Sequence, residues 1–327
     1  MPPEVGLSRP VLEATADETI GRRRAMASDV MVRAVAAPGA DDLGAAVRGA
    51  LDVFAAVESA CTRFDPASPL MRANHGADRF CPVGPTCFEA VVEAHRAYSR
   101  TRGRFDPRVL ADLVAMGYDR SLPFSGGGLT TPPAPSRRAP LPPWRPGFRG
   151  SSFAVRIGPH PVDLGGIGKG LAVRWASQAL RRATADHLIE AGGDCYCAGS
   201  APGGGPWQVA VEDPAGGADP LAVLGVRDRA CATSSIRLRR WRAGQEEVHH
   251  LVDPRSGRPG GAHLASVTVV GPDPAEAEVW SKVLFLAGRR QIAALAQRKA
   301  LAALWVEASG AIGTSPALAR YLAWGPR

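Results

Sequence analysis

Apolar residues recur at helical spacing in several stretches of the chain. In the first stretch, Asp41 or Asp42 can cap a helix, and the apolar positions that follow are Leu43, Val47, Leu51, Phe54 and Val57. This spacing places them on one helix face and predicts an amphipathic helix within 41–64. Further helices are predicted over 86–100, 169–183 and 275–298.

Short alternating or continuous apolar runs predict strands. These runs lie at 29–36, 153–157, 207–212, 248–252, 266–270 and 302–306. The strands occur in groups, and helices do not alternate regularly with them. The pattern therefore predicts an α+β fold with a substantial antiparallel component rather than a doubly wound parallel sheet.

Two segments lack such periodicity. Residues 1–20 are polar and aperiodic and are expected to form a flexible N-terminal arm. Residues 121–150 contain eight prolines and five glycines, which predicts an irregular surface insertion. The insertion is either a flexible excursion or a lid, and its composition favours the excursion. The remainder, 21–327, is predicted to be a single domain.

Composition narrows the class of protein. With 45% hydrophobic and 21% charged residues, the chain is in the globular range. It has no apolar run of about 18 residues and no basic start followed by an apolar stretch. These features predict a cytoplasmic protein with no membrane partner. The six cysteines form no CxxC pair, so reduced thiols are expected.

The charge is strongly basic but uneven in kind. Lys and Arg number 39 and Asp and Glu 31, so the net charge is 39 − 31 = +8. The lysines are Lys169, Lys282 and Lys299, which leaves 39 − 3 = 36 arginines. A GC-rich coding bias explains this excess, and no nucleic-acid motif accompanies it. A nucleic-acid partner is therefore not expected, and the few lysines stand out as candidates for specific roles.

A glycine-rich turn between a strand and a helix, VDLGGIGKGLAVRWASQAL (162–180), is the most informative stretch. Such a turn lets backbone approach a ligand closely, and the helix start offers N–H groups to an anion. Lys169 adds a point charge. A tight strand-to-helix turn without a ligand explains the glycines equally well.

Four other segments carry candidate chemistry. Gly192 and Gly193 precede Asp194, and CATSSIRLRRW (231–241) sets three hydroxyls before a run of arginines. A strand there would place Arg237 and Arg239 on one face, either at a ligand or as a solvated edge. HHLVDPRSGRP (249–259) leads a strand with two histidines into an Asp-Pro turn, and the tripeptide FDP occurs twice, at 64–66 and 105–107.

In this combination and order, the chain resembles the ApbE family, the FAD:protein FMN transferases. The resemblance covers about four-fifths of the chain, and its segments are AMAS (25–28), TRFDP and the residues to 74, GRFDP (103–107), DLGGIGKG (163–170), GGD (192–194), 207–214, ATSS (232–235), HHLVDPRSGRP (249–259) and SVTVVGPDPAEAE (266–278). It implies an α+β fold of largely antiparallel mixed sheets flanked by helices, with a cleft for FAD.

The resemblance also implies an activity and its residues. Many members move FMN from FAD to a Ser or Thr hydroxyl of an acceptor protein, with Mg²⁺, and release AMP. The implied catalytic residues are His250, which would activate the acceptor hydroxyl, and Asp253, which would help to position the site. The implied cofactor-binding residues are Asp163, Gly165, Gly166, Lys169, Gly193, Asp194, Thr233 and Ser234.

The sequence departs from the family at the magnesium site. The family ligands are an acidic residue, a threonine four residues later and a backbone carbonyl. These fall at Glu278, Lys282 and Gly168. A protonated lysine has no acceptor for a metal ion. Lys282 either neutralises the pyrophosphate itself or forms an ordinary surface pair with Glu278 on a helix.

Three functions remain as hypotheses. The first is FMN transfer from FAD to a protein hydroxyl. The second is a flavin-binding carrier, sensor or regulator that keeps the cleft but has lost transfer and the usual magnesium site. The third is a basic scaffold for anionic polymers, supported only by the net charge. His250 and its Asp-Pro turn favour the first over the second, whereas Lys282 favours the second.

Overall fold

The computed structural model describes residues 9–36, 42–120 and 139–325. The strands in these ranges are β1 (Val11–Ala14), β2 (Glu18–Ala25), β3 (Ser28–Val35), β4 (Cys81–Pro82), β5 (Gly147–Arg149), β6 (Ala154–Arg156), β7 (His187–Ala191), β8 (Asp194–Ala198), β9 (Trp207–Val211), β10 (Ala222–Val226), β11 (Arg229–Ser235), β12 (Arg240–Ala243), β13 (Glu246–His249), β14 (Val252–Asp253), β15 (Arg258–Pro259), β16 (Leu264–Gly271), β17 (Ala302–Glu307), β18 (Ile312–Thr314) and β19 (Leu322–Trp324). The helices are α1 (Leu43–Cys61), α2 (Pro69–Gly76), α3 (Gly84–Arg100), α4 (Leu110–Ala115), α5 (Gly168–Leu180), α6 (Pro274–Ala287) and α7 (Ile292–Arg298), with short 3₁₀ turns at Gly150–Ser152 and Pro316–Tyr321.

A nine-stranded sheet organises the described part of the chain, in the order β1-β2-β3-β7-β8-β11-β16-β17-β18. Each neighbouring pair in it is antiparallel. Smaller sheets are β19-β10-β9, β4-β6-β5, β12-β13 and β14-β15. The predicted α+β class with a largely antiparallel sheet is therefore confirmed.

The two faces of the large sheet are covered differently. Successive side chains on a strand point to opposite faces. On β8, Tyr196 and Ala198 join the large core formed with α1, α5 and α6, whereas Cys195 and Cys197 join a second core beneath the β19-β10-β9 sheet. Both faces are thus buried where β8 and β11 cross the centre.

Helix α1 follows the sequence pattern closely. Asp42 is its N-cap and accepts a hydrogen bond from the Ala45 N–H at 2.8 Å. Its predicted apolar face, from Leu43 to Val57, is buried. The prediction of one helix over 275–298 is wrong, because Gly288 adopts a φ of 69° and ends α6, so that α7 starts anew.

The prediction of a flexible N-terminal arm is wrong for the described residues 9–20. Residues 11–14 and 18–20 lie in β1 and β2, which extend the large sheet by backbone pairing. The apolar run at Val11 and Leu12 is too short to predict a strand by its pattern, and the pairing of β1 with β2 is made by the backbone. Residues 1–8 lie outside the described ranges.

The predicted insertion over 121–150 is described only from residue 139 onward. There, Trp144 is buried and its Nε1 donates to the Ile157 carbonyl at 3.1 Å, and β5 pairs with β6. This part belongs to the domain and is not a flexible excursion. In the described ranges, no helix combines the length and apolarity needed to cross a bilayer.

Candidate functional site

The glycine-rich turn before α5 is held in place by Asp163. One carboxylate oxygen accepts the Gly165 N–H at 2.6 Å, and the other lies 2.8 Å from Nε of Arg63. The Arg63 guanidinium is in turn stacked 4.1 Å from the ring centroid of Tyr118. Asp163 therefore fixes the conformation of the turn. In this role it would support a ligand-binding loop without contacting the ligand.

Glycine is required in this turn by close contacts. A Cβ on Gly166 would lie 3.0 Å from the ring of Phe105 and 3.5 Å from the side-chain stem of Lys282. A Cβ on Gly170 would lie 2.6 Å from Cα of Ala275. The glycines thus allow the start of α5 and the lysine stem to meet α6 and the loop that carries Phe105.

The N–H groups at the start of α5 are partly engaged by the protein. Gly168 donates to the Leu164 carbonyl at 2.7 Å, and Gly170 donates to Oε2 of Glu278 at 2.8 Å. These two amides are therefore not available to an anion. Positive charge at this end of the helix comes instead from two lysine side chains.

Lys169, Asp194, Glu278 and Lys282 form a buried cluster, called here the lysine–carboxylate cluster. Nζ of Lys169 pairs with Oδ2 of Asp194 and lies 3.7 Å from Oε1 of Glu278. Nζ of Lys282 lies 3.1 Å from the same Oε1. Oδ1 of Asp194 accepts the Thr233 N–H at 2.9 Å. Strand β8, strand β11 and helices α5 and α6 are joined at this point.

Burial and mutual charge set the ionisation of this cluster. Burial lowers the pKa of Lys169 to about 8, although the Glu278 charge opposes the change. Burial alone would raise the pKa of Glu278, but the charges of Lys282 and Lys169 bring it below its ordinary value. Glu278 is therefore ionised at neutral pH and depends on the two ammonium groups.

The residues at the implied magnesium site do not fit a divalent cation. Both oxygens of Glu278 already accept from the chain, one from Gly170 and one from Lys282. In the described ranges, no group of three or more His, Cys, Asp or Glu side chains converges as metal ligands. The Glu278–Lys282 pair is buried, with side-chain exposures of 1% and 16%, so its interpretation as an ordinary surface pair is wrong.

His250 lies between β13 and β14. The strand predicted over 248–252 is wrong there, because β13 ends at His249 and the chain turns. Nδ1 of His250 lies 3.3 Å from the Arg239 carbonyl. A carbonyl only accepts, so Nδ1 must carry the proton, and Nε2 keeps its lone pair.

The imidazole of His250 is neutral at neutral pH. Burial lowers its pKa well below the ordinary value, and the positive charges of Arg239 and Lys282 lower it further. Within the described ranges, no hydrogen bond to Nε2 is formed. The imidazole can therefore accept a proton at Nε2 from a bound molecule.

Arg239, which the sequence offered together with Arg237 as a candidate, lies beside His250, and its carbonyl accepts the His250 N–H at 3.4 Å. Residues 236–239 form a bend and not a strand, and the Arg239 charge lowers the pKa of both Lys169 and His250. Among the described residues, no carboxylate lies within ion-pair distance of Arg239, whereas Arg237 pairs with Glu212 at 3.3 Å. Nothing in the arginine run distinguished the two residues beforehand.

The remaining predicted residues, Gly193, Thr233 and Ser234, lie in the turn before β8 and on β11. Gly193 has a φ of 87° and leads into Asp194. Ser234 faces α6, with its Oγ 2.8 Å from Oγ of Ser281. Thr233 contributes its backbone N–H to the cluster, but its hydroxyl points to the other face, 2.9 Å from the Thr268 hydroxyl.

Asp253 is engaged by its own turn. Its Oδ1 accepts the Arg255 N–H at 3.0 Å, its Oδ2 lies 2.8 Å from the Arg255 guanidinium, and its carbonyl accepts the Gly257 N–H at 2.8 Å. These bonds shape the chain directly after His250. A catalytic role for Asp253 stays a prediction.

Sequence comparison identifies relatives over most of the chain. A sequence model of the ApbE family matches residues 26–305. The FAD:protein FMN transferase of Klebsiella pneumoniae (strain 342) is 27% identical over 257 residues, which cover 74% of this chain and 71% of that protein. The protein of the same name from Salmonella typhimurium is 28% identical over 253 residues, with the same two coverages of 74% and 71%.

Structural comparison gives the same fold. The ApbE protein of Thermotoga maritima superposes with a TM-score of 0.76 and 22% identity, covering 96% of this chain and 99% of that one. The flavin transferase ApbE of Vibrio cholerae superposes with a TM-score of 0.74 and 20% identity, covering 96% and 100%. The predicted fold is thereby confirmed over almost the whole chain.

Proposed function

Since this chain belongs to the ApbE family, we propose that it is an FAD:protein FMN transferase. Two curated relatives with that name each match 74% of its length. The substrates are FAD and an acceptor protein that offers a Ser or Thr hydroxyl, and the products are the flavinylated protein and AMP. No nucleic-acid partner is part of the reaction.

The chemical step replaces the phosphoanhydride bond of FAD by a phosphate ester bond to the acceptor. The acceptor oxygen attacks the phosphorus of the FMN half, a new P–O bond forms, and the bond from that phosphorus to the bridging oxygen breaks. The bridging oxygen leaves with AMP. The hydroxyl proton passes to Nε2 of His250, so atoms and charge balance.

The single observation that carries this proposal is the position of His250. Its Nδ1 lies 3.3 Å from a backbone carbonyl, a contact that requires the proton on Nδ1 and leaves Nε2 as the base. The neighbouring charges of Arg239 and Lys282 suit the binding of a pyrophosphate. A base beside a cationic pocket is what transfer from a dinucleotide to an alcohol requires.

The other cluster residues bind and orient. Lys169, held by Asp194 and Glu278, presents its ammonium to the pyrophosphate. Asp163 and the turn from Gly165 to Gly168 keep the start of α5 in position for the dinucleotide. Charge neutralisation and alignment, rather than a covalent intermediate, supply the rate enhancement.

Incubation with FAD and a carrier fused to a Ser/Thr flavinylation peptide tests the proposal. In-gel flavin fluorescence of the carrier and stoichiometric release of AMP are expected. His250→Ala should reduce transfer by about 10²-fold or more while FAD still binds. His75→Ala, an exposed histidine at the end of α2, is the matched control and should leave transfer unchanged. Transfer that persists in His250→Ala would remove the base assigned here.

A second candidate function is supported by the residue at 282. The buried lysine at the position of the family threonine favours a protein that binds FAD but does not transfer FMN, as a carrier, sensor or regulator. Tight FAD binding without product, on an acceptor that a related transferase modifies, would favour that function. Absence of FAD binding would contradict both candidates.

A further inference from the structure

We propose that the ammonium group of Lys282, with Glu278 as its counter-ion, is a built-in cation for the FAD pyrophosphate and takes the place of a divalent metal ion. The proposal rests on the proposed function, which supplies the pyrophosphate. It makes Lys282 a substrate-binding residue and makes the reaction independent of added Mg²⁺.

The position of Lys282 is the first support. Its stem lies along the glycine turn, since a Cβ on Gly166 would be 3.5 Å from both Cδ and Cε. Its Nζ is held 3.1 Å from Oε1 of Glu278, one helical turn earlier on α6. The ammonium is therefore fixed beside the start of α5 and does not extend into solvent.

The bonding of Glu278 is the second support. Its carboxylate is buried and lies between two ammonium groups, with Lys282 at 3.1 Å and Lys169 at 3.7 Å from Oε1. Its second oxygen accepts the Gly170 N–H. A divalent ion at this carboxylate would have to displace Lys282 and would also be repelled by Lys169.

The choice of residue type is the third support. The chain has three lysines among its 39 basic residues, and two of them lie in this cluster. An ammonium is a compact charge with three donors, which suits contact with both a carboxylate and phosphate oxygens in a confined space. The Lys282 ammonium has three N–H donors, and one of them binds Glu278. The others can bind phosphate oxygens.

Metal and FAD titrations of the unmodified protein are the first test. Binding of Mn²⁺ alone is followed by electron paramagnetic resonance, and binding of FAD by calorimetry in EDTA and in Mg²⁺. We expect no stoichiometric Mn²⁺ site and an FAD dissociation constant that changes less than about twofold between EDTA and Mg²⁺. FAD binding that tightens tenfold or more with Mg²⁺ would overturn the inference and leave the proposed function intact.

Variants at position 282 are the second test. Lys282→Met should weaken FAD binding in EDTA by at least tenfold and AMP binding by much less, because AMP has no pyrophosphate. Lys282→Arg keeps the charge and should retain most of the FAD affinity. Lys299→Met removes an exposed lysine at the end of α7 and should leave both affinities unchanged. Native FAD affinity in Lys282→Met would overturn the inference.

Lys282→Thr tests whether the Lys282 ammonium occupies the place of a metal ion or only adds positive charge to the site. We expect weak FAD binding in EDTA that Mg²⁺ restores, because the hydroxyl and Glu278 can then hold the ion. Failure of Mg²⁺ to change FAD binding in this variant would overturn the claim that Lys282 stands in place of a metal. If Lys282→Met does not fold, the Mn²⁺ titration and Lys282→Arg still decide the matter. FAD that binds under no condition, even to the unmodified protein, would overturn the proposed function itself.

Discussion

The tripeptide Asp-Pro-Arg occurs at 106–108 and at 253–255, and the two copies fold into the same local turn. In the first, Oδ1 of Asp106 accepts the Arg108 N–H at 3.0 Å, and Nη2 of Arg108 lies 2.7 Å from Oδ2. In the second, the corresponding distances between Asp253 and Arg255 are 3.0 and 2.8 Å. Residue identity over three positions is enough to specify this geometry.

Their surroundings differ sharply. The Arg108 and Asp106 side chains are 4% and 6% exposed, and Arg108 also donates to the Pro142 carbonyl at 2.8 Å. The Arg255 and Asp253 side chains are 69% and 17% exposed. An ion pair that is buried is costly to break, whereas an exposed one contributes little. The ion pair within the turn therefore contributes to the stability of the fold at 106–108 and contributes little at 253–255.

The two turns also support different parts of the candidate site. The Pro107 carbonyl accepts the Asp163 N–H at 2.7 Å, so the buried turn supports the glycine-rich turn before α5. The exposed turn follows His250 directly. The glycine-rich turn is thus supported by a buried ion pair, and the segment that carries His250 lies among short strands and bends.

Breaking the buried turn should have the largest effect. Arg108→Met leaves the Asp106 carboxylate buried without its partner and should lower the free energy of unfolding by about 3–5 kcal/mol. Urea unfolding with an unchanged denaturant slope measures this loss. Arg255→Met is the matched control and should cost less than about 1 kcal/mol. Equal losses in the two variants would show that burial does not separate the turns.

Protonation of His249, which precedes the exposed turn, should lower the free energy of unfolding by less than Arg108→Met does. Burial lowers the pKa of His249 to about 4 from its ordinary 6.5, and its Nδ1 accepts the Leu251 N–H at 3.3 Å. Neutral His249 therefore stabilises the fold above pH 6.5, and this contribution is lost as the pH falls from 6.5 through 4. Allowing for partial exposure, the loss is about 2 kcal/mol.

The pH dependence of unfolding for His249→Asn checks this expectation. The variant should show a flatter decline of stability between pH 7 and 4 than the unmodified protein. His75→Asn, at an exposed histidine, should not flatten it. A decline that is equally steep in His249→Asn would place the acid sensitivity elsewhere.

Removing the exposed arginine should have the smallest effect and sharpens the assignment of Asp253. In Arg255→Ala the carbonyl of Asp253 still accepts from Ser256 and Gly257, so the turn after His250 keeps its shape. Transfer should change by less than about twofold, measured as AMP release. A loss above tenfold would indicate that this turn contacts a substrate and would support the catalytic role predicted for Asp253.

Much of the local structure could be predicted from the chain alone. The spacing from Leu43 to Val57 identified α1, and the capping role of Asp42 was confirmed. Strands β1 and β2 were missed because β1 is only four residues long and because the two strands pair through backbone hydrogen bonds, which an apolar pattern does not reveal. The helix predicted over 275–298 failed at Gly288, where one positive φ ends α6.

The candidate site likewise has features that the sequence predicts and features that depend on the packing of distant elements. The sequence by itself determined the glycine turn, the Asp-Pro turns and the order of the motifs, because each depends on residues a few positions apart. Only the tertiary structure decided that Glu278 accepts the N–H of Gly170, 108 positions away. It also decided that the charge of Arg239, and not that of Arg237, lowers the pKa of His250. Such contacts depend on how distant elements pack, and local propensity contains no information about them.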